Sequence, residues 1–237
     1  MEKDGLEKHT SSGKAHYNEW EIDLRETRYK KIEKIILGCK PGKLLDAGCS
    51  SGKFSARFIQ KGYDVYGIDY AEKRVNEAKQ NGLKAVVCDI TKKLPFDDEF
   101  FDIVLAGELI EHVVDTDGLL SEFNRVLKTH GVLIITTPNL ASFENRLRLL
   151  FGIYPAWTNY SVAAPNHVRS YTLPILKKQL KKNGFTPVKQ FGNFVPFIPQ
   201  VLLDDIKFPL LGVSGYIFPS LSQGLIVAAV KVQLVKE

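Results

Sequence analysis

Hydrophobic positions along the chain form short continuous runs that alternate with amphipathic segments. The runs occupy residues 43–48, 63–70, 83–90, 100–107 and 131–139. Strands of a parallel sheet are apolar on both faces, because helices cover the sheet on both sides. The pattern therefore predicts five buried parallel strands in this part of the chain.

Segments with helical periodicity separate these runs. They cover residues 18–38, 52–61, 71–81 and 108–128. Strands that alternate with helices in this way are typical of βαβ units around a parallel sheet. The sequence therefore predicts an α/β fold.

The alternation changes after Asn139. The pattern predicts a helix over 140–151, an irregular aromatic segment over 152–170, a lysine-rich helix over 172–183 and strands over 185–191 and 224–235. Residues 192–222 are rich in proline, glycine and apolar side chains. We predict one domain over 1–237 with a flexible tail at 1–17, and insertions at 140–171 and 192–222 that form either a lid or an interface.

One uncharged stretch, Phe208–Val230, is long enough to raise the question of a membrane span. Prolines and glycines interrupt it, and it ends in a β-rich run. We interpret it as a loop followed by a strand.

Composition narrows the class of protein. The 237 residues carry a net charge of +5 with acids and bases interleaved, which favours a solubility role over nucleic-acid binding. The three cysteines, Cys39, Cys49 and Cys88, show no CxxC spacing. We expect a reducing, cytoplasmic location without disulfides, and the spacing of potential ligands predicts no metal site.

The first candidate for chemistry is a glycine turn after the first strand, LLDAGCSSG at 44–52. Glycines let the backbone turn sharply and approach a ligand. A phosphate-binding P-loop is excluded because Ala47 and Phe54 stand at two of its required positions, and the dinucleotide fingerprint fails at Ser50 and Lys53. What remains is Asp46 at the strand end, followed by GxxxG.

Acids also follow the next two strands. Asp69 can accept hydrogen bonds from both hydroxyls of a ribose, and Asp89 can accept one from an adenine amino group. Each of the three acids alone is compatible with a structural role, as a turn cap or a solvated turn residue. Their position at three successive strand ends favours a nucleoside-containing ligand.

These segments, LLDAGCSSG, VYGIDY, VVCDI and FDIVLAGELIEHVVD, resemble in order and spacing the sequential motifs of class I S-adenosylmethionine-dependent methyltransferases, in particular the small-molecule and quinone-type group. The resemblance covers residues 43–139 well and 176–185 loosely. It implies a Rossmann-like three-layer sandwich with a mostly parallel seven-stranded sheet and an antiparallel last strand. One departure is Ser50, where the family usually has glycine.

The resemblance also implies how the methyl donor is held. The turn Gly48–Gly52 would bind its methionine end, Asp69 its ribose, and Asp89 with Ile90 its adenine. The cofactor-binding residues predicted in this way are Asp46, Gly48, Cys49, Gly52, Asp69, Tyr70, Asp89, Ile90, Gly107 and Glu108.

Methyl transfer to a hydroxyl or a protonated amine needs a group that accepts a proton. His112 follows the fourth strand, where the family places the transferred methyl group, and His167 lies in the irregular segment. Both are candidate catalytic residues, and both are also compatible with structural roles. The aromatic side chains of the region form either a roof over the acceptor or a satellite core: Phe143, Phe151, Tyr154, Trp157, Tyr160 and Tyr171.

The sequence thus predicts a methyltransferase that uses S-adenosylmethionine, releases S-adenosylhomocysteine and acts on an oxygen or nitrogen of a small molecule. The apolar insertions favour an acceptor with an apolar or lipid-linked part, or a homodimer interface. The chain lacks an [ND]PP[YF] sequence after its fourth strand, which argues against nucleic acid. A non-catalytic S-adenosylmethionine-binding protein and an RNA or protein methyltransferase are the alternatives.

Overall fold

The computed structural model describes residues 27–158, 167–195 and 209–232. The helices are α1 (Thr27–Leu37), α2 (Glu72–Gln80), α3 (Thr116–Val126), α4 (Phe143–Leu150), α5 (Leu173–Lys182) and α6 (Pro209–Ile217). The strands are β1 (Lys43–Ala47), β2 (Asp64–Asp69), β3 (Lys84–Val87), β4 (Phe101–Gly107), β5 (Leu127–Pro138), β6 (Phe185–Gly192) and β7 (Gly224–Lys231).

The seven strands form one sheet in the order β3-β2-β1-β4-β5-β7-β6. Strands β1 to β5 are parallel to one another, and β7 runs antiparallel to both of its neighbours, β5 and β6. Strand β6 is therefore parallel to β1. The predicted fold class, a mostly parallel seven-stranded sheet with an antiparallel last strand, is confirmed.

Helices cover both faces of the sheet because side chains of adjacent strand residues point to opposite sides. On one face, Leu45 belongs to a core with α3 and α5. On the other face, Leu44 belongs to a core with α1 and α2. This burial on both sides explains why the strands are continuously apolar in sequence.

Two of the predicted helices differ in detail. The segment predicted as a helix at 52–61 contains a short 3₁₀ helix, Ser55–Lys61, bounded by left-handed glycines at Gly52 and Gly62. The segment predicted at 108–128 is split into a 3₁₀ turn, Ile110–His112, and α3. The carboxylate of Asp115 accepts a hydrogen bond from the amide of Gly118 at 2.9 Å, and this N-cap starts the second helix separately.

The interpretation of 208–230 as a loop and a strand is correct for the strand but wrong for the loop, because α6 occupies Pro209–Ile217. Proline at the first helical position is compatible with a helix, since that position donates no intrahelical hydrogen bond. Among the described helices, none has the length and apolar character needed to cross a bilayer.

Several predictions lie outside the described residues. These are the tail at 1–17, the start of the first helix at 18–26, Tyr160, and the end of the last strand at 233–235. The division into one domain with two insertions stays a prediction. Because β5 and β6 run parallel to β1, both predicted insertions start at the carboxyl ends of strands. The glycine turn lies on the same side of the sheet.

Candidate active site

The glycine turn follows β1 and adopts left-handed backbone conformations at three positions. The φ angles are 75° at Gly48, 48° at Ser50 and 69° at Gly52. A β-carbon on Gly52 would lie 2.8 Å from a methyl carbon of Leu83, so the turn needs glycine there for space as well as conformation. Ser50 also takes a left-handed conformation, which glycine adopts more easily. The turn nevertheless forms with serine at the position where the family pattern usually has glycine.

Asp46 lies beneath this turn and is buried. Its carboxylate accepts a hydrogen bond from the hydroxyl of Ser55, at the start of the 3₁₀ helix. Burial raises the pKa of Asp46 to about 6, with the Asp69 carboxylate adding to the rise and the Ser55 hydrogen bond opposing it. The contact with Ser55 is a structural role, and contact with a cofactor stays a prediction for this residue.

Asp69 ends β2 and faces the same turn. One carboxylate oxygen accepts from the amide of Ser50 at 3.0 Å, and the other accepts from the amide of Ala71 at 2.9 Å. These bonds fix the carboxylate between the turn and the start of α2. Each oxygen of an ionised carboxylate can accept a second hydrogen bond, so the geometry leaves capacity for two hydroxyl donors.

Asp89 follows β3, the edge strand. The amide and the hydroxyl of Thr91 donate to one of its carboxylate oxygens at 2.9 and 2.7 Å, and these bonds lower the pKa of Asp89. Ile90 is partly buried against the core beside it, and Tyr70, beyond Asp69, is exposed. The carboxyl ends of β2 and β3 thus present hydrogen-bond acceptors next to apolar surface.

Glu108 follows β4 and Gly107, and it is also left-handed, with a φ of 50°. The Thr136 hydroxyl donates to one of its carboxylate oxygens at 2.8 Å, and the Arg28 guanidinium lies 3.1 Å from the other. Sequence reasoning missed Arg28, because an arginine within an amphipathic helix carries no local signal of contact with a strand end far along the chain.

A second cluster lies one turn beyond Glu108. Ligand atoms of Glu111, His112 and His167 all lie within 4.8 Å of one another, and the two imidazole rings meet edge to face with centroids 4.9 Å apart. Glu111 is 1% exposed. Within the described part of the chain its carboxylate oxygens make no hydrogen bond of regular geometry, and the Thr137 hydroxyl is a polar neighbour that favours the ionised form. Burial, reinforced by the Glu108 carboxylate, holds the pKa of Glu111 well above its usual range.

Hydrogen bonds from Arg169 to two backbone carbonyls hold the neighbouring His167 in this place. The amide of Arg169 donates to the carbonyl of Glu111 at 3.1 Å, and its guanidinium donates to the carbonyl of Val114 at 2.6 Å. The two histidines predicted as catalytic residues therefore lie together. The spacing of residues in the sequence does not reveal this cluster, because His167 comes from a different segment.

A shallow cavity that is open to the solvent adjoins the cluster. Glu111, His167 and Arg169 line it together with Asn139 and Trp157. Of the aromatic side chains predicted as a roof, Trp157 lies here, Tyr171 is buried in the core, and Phe151 and Tyr154 are exposed. Another open cavity of about 490 Å³ lies at the opposite sheet edge, around residues 39–40, 102–103 and 128–132, and is lined by none of the predicted site residues.

Comparison with known proteins agrees with this geometry. Residues 45–135 match the family model described as a methyltransferase domain. A ubiquinone biosynthesis O-methyltransferase of Pelagibacter ubique is 36% identical over 113 residues, which are 46% of this chain and 47% of the relative. Its namesake in Rickettsia prowazekii is 29% identical over 142 residues, 58% and 52% of the two chains. The matches thus span about half the length of these curated relatives.

Solved structures share the fold over most of the chain. A methyltransferase from Archaeoglobus fulgidus superposes with a TM-score of 0.63 at 20% identity, over 87% of this chain and 94% of that one. The 1,6-didemethyltoxoflavin-N1-methyltransferase of Burkholderia thailandensis, solved with S-adenosylhomocysteine, superposes with a TM-score of 0.60 at 19% identity, over 96% and 87%. The fold is therefore that of class I methyltransferases. In sequence, the similarity to methyltransferases extends over residues 45–135 and over about half the length of the curated relatives.

Proposed function

We propose that the chain transfers a methyl group from S-adenosylmethionine to an oxygen or nitrogen of a small-molecule acceptor. The observation that carries this proposal is the order of four acids at one edge of the sheet. Asp89, Asp69, Asp46 and Glu108 lie in or just after the ends of β3, β2, β1 and β4, which are adjacent in that order. Open α/β sheets bind ligands at the carboxyl ends of their strands.

The donor's chemical groups fit this row. A ribose has two hydroxyl donors that Asp69 can accept, and an adenine amino group can donate to Asp89. A methionine end carries an ammonium, for which Glu108 is the partner, and a carboxylate, for which Arg28 is the partner. The glycines of the turn Gly48–Gly52 allow the backbone to approach a ligand closely.

When bound, the donor supplies a sulfonium methyl group that is already activated for displacement. The protein's task is then to place the acceptor and to remove its proton. His112 and His167 lie together beyond Glu108, and His167 lines the cavity; they are the groups that we propose for handling that proton. His167 Nδ1 lies 2.8 Å from the backbone carbonyl oxygen of Trp157, so Nε2 is the nitrogen left to accept a proton.

The acceptor that we propose has an apolar part. Trp157 lines the cavity, and several apolar side chains of α4 and the following segment are exposed: Leu147, Leu149, Leu150, Phe151, Ile153, Tyr154 and Trp157. They support either a lid over the acceptor, including a lipid-linked one at a membrane surface, or a homodimer interface. The sequence relatives are named ubiquinone biosynthesis O-methyltransferases, which is compatible with an apolar acceptor. A cytoplasmic location is also part of the proposal, on the basis of the cysteines.

A screen with labelled donor tests the activity. The purified chain is incubated with S-adenosylmethionine labelled in its methyl group and with panels of quinols, sugars and lipids. Label transferred to an acceptor, with stoichiometric S-adenosylhomocysteine, is the expected result. Donor binding without transfer to any acceptor would favour the alternative, a non-catalytic binding protein.

A further inference from the structure

A buried lysine joins the first described helix to two elements near the other end of the chain. Lys31 lies on α1 and is 3% exposed. Its ammonium donates hydrogen bonds to the backbone carbonyls of Gly192 at 2.5 Å and Asn193 at 2.9 Å, where β6 ends. The same ammonium lies 4.2 Å from the centre of the Tyr216 ring on α6, close enough for a cation to be attracted to the ring. One side chain therefore holds α1 against the end of β6 and against α6.

Two further contacts make this junction tight. The hydroxyl of Thr27, one helical turn before Lys31, donates to the Asn193 carbonyl at 3.1 Å. On the other side, Gly215 of α6 packs directly against the junction. A β-carbon at Gly215 would lie 2.3 Å from the Gly192 oxygen and 2.7 Å from Lys31 Nζ. Even the smallest side chain would overlap with these groups, so the positions of α6 and of the lysine depend on each other.

The junction bears on the site because Arg28 lies on the same part of α1. The Arg28 guanidinium lies 3.1 Å from the Glu108 carboxylate, at the place proposed above for the donor's methionine end. Apolar side chains such as Ile35 and Ile36 fix the second half of the helix in the core. The polar contacts of Lys31 hold the first half, which carries Arg28. The place of the guanidinium therefore depends on the junction.

A buried lysine is a costly way to fill this position. An ammonium that leaves water loses solvation, and burial lowers the pKa of Lys31 to about 8. A methionine has a similar length and would not carry this cost. Hydrogen bonds to two backbone carbonyls have a direction, however, and they fix the rotation of α1 in a way that apolar contact does not. The contacts of the lysine thus favour a role in placing α1 over a role in stability alone.

We propose that Lys31 is a positioning residue for the binding of the methyl donor. By holding α1 against the end of β6 and against α6, it places the Arg28 guanidinium where the donor's methionine carboxylate binds. This inference rests on the proposed function. It goes further in making the affinity for the methionine end depend on α6, which lies within the second predicted insertion. Lys31 acts through Arg28 and does not itself touch the donor.

Two ligands that differ only at the methionine end test this role. S-adenosylhomocysteine and 5′-methylthioadenosine both contain adenosine and a thioether, but only the first carries the amino-acid group. Calorimetry gives the affinity of each ligand for the wild-type chain, for Lys31→Met, which removes the ammonium, and for Gly215→Ala, whose added methyl group displaces α6 from the lysine. The matched controls are Lys34→Met, at an exposed lysine of α1, and Val213→Ala, at an exposed position of α6.

We expect Lys31→Met and Gly215→Ala to bind S-adenosylhomocysteine roughly tenfold more weakly, because a charge-assisted contact with the carboxylate is misplaced. Both should bind 5′-methylthioadenosine as the wild type does, and the controls should bind both ligands unchanged. Unchanged affinity for S-adenosylhomocysteine in Lys31→Met, or equal weakening of both ligands, would overturn the proposal, since equal weakening indicates a merely structural role. If Lys31→Met does not fold, the same two criteria apply to Gly215→Ala. A wild-type chain that binds neither ligand would defeat the proposed function instead.

Discussion

Two regions of the molecule are held in place by different kinds of contact. The cofactor edge consists of the candidate residues at the carboxyl ends of β1 to β4, and the acceptor region surrounds the cavity and His167. At the cofactor edge, the four candidate acids lie within or no more than two positions after the ends of adjacent strands, and the sheet sets their spacing. In the acceptor region, hydrogen bonds from asparagine side-chain amides hold neighbouring segments in place. The buried amide of Asn139 donates to the carbonyls of Ser220 and Ser222 at 3.0 and 2.8 Å, and Asn145 accepts from the amide of Ala156 at 2.7 Å.

The first kind of contact follows from local patterns in the sequence, whereas the second depends on segments that are far apart in the sequence. A strand-end residue at the cofactor edge is placed by hydrogen bonds between strands, which the hydrophobic pattern already encodes. A residue such as His167 is placed by single contacts between distant segments, each of which one substitution can remove. We therefore expect the two regions to fail independently, and the following variants test this.

The largest effect is expected at His167. His167→Gln should lower turnover by roughly 10²–10⁴, because the variant loses a group that handles the acceptor's proton. Its affinity for S-adenosylhomocysteine should stay unchanged, since the residue lies outside the cofactor edge. Transfer assays and calorimetry on the same preparation measure both. A parallel fall in cofactor affinity would show that the two regions are coupled.

Asp46 should make the free energy of unfolding of the protein depend on pH. Its pKa is raised from 3.8 to about 6 in the folded protein, so the folded state binds the proton more tightly than the unfolded state does. The free energy of unfolding should therefore fall as pH rises from about 4 to about 6, by about 3 kcal/mol for this group.

The control for this effect is Asp46→Asn, which cannot titrate and can still accept from Ser55. Urea unfolding across the same pH range should show that the wild type loses stability relative to this variant as pH rises. A difference that is constant with pH would mean that the pKa of Asp46 is the same in the folded and the unfolded protein.

Asp69 should determine cofactor affinity. Asp69→Ala removes a charged acceptor for two ribose hydroxyls and should weaken S-adenosylhomocysteine binding by roughly 1–3 kcal/mol. Asp64→Ala, at the opposite end of β2, is the matched control and should bind as the wild type does. Equal calorimetric affinity for Asp69→Ala and the wild type would remove Asp69 from the site.

Trp157 gives the smallest expected effect. It is 58% exposed and lines the cavity, whereas the exposed Tyr154 does not. With an acceptor found by the screen, Trp157→Ala should raise the Michaelis constant about fivefold, since about 1 kcal/mol of apolar contact is lost. Tyr154→Ala should leave it unchanged. If Trp157→Ala instead changes the mass by light scattering and spares activity, the surface belongs to an interface between copies.

Much of the fold could be predicted from sequence, because hydrophobic runs and turn glycines are local signals. The strands from β1 to β5, and the acids at the ends of β1 to β4, are all indicated by such signals. Helix α6 was not, since proline and glycine within 209–217 mask its periodicity. Arg28 and the meeting of Glu111 with His167 were also beyond sequence reasoning, because both depend on contacts between segments that only the folded chain brings together.

The central claim is that the four acids at the carboxyl ends of β3, β2, β1 and β4 surround an S-adenosylmethionine site. Calorimetric titration of the wild-type chain with S-adenosylhomocysteine, with NAD as the comparison ligand, tests it most directly. The account predicts one site per chain with micromolar affinity, about −7 to −8 kcal/mol, and no saturable binding of NAD. Absence of binding by S-adenosylhomocysteine, or equal binding of both ligands, would contradict it.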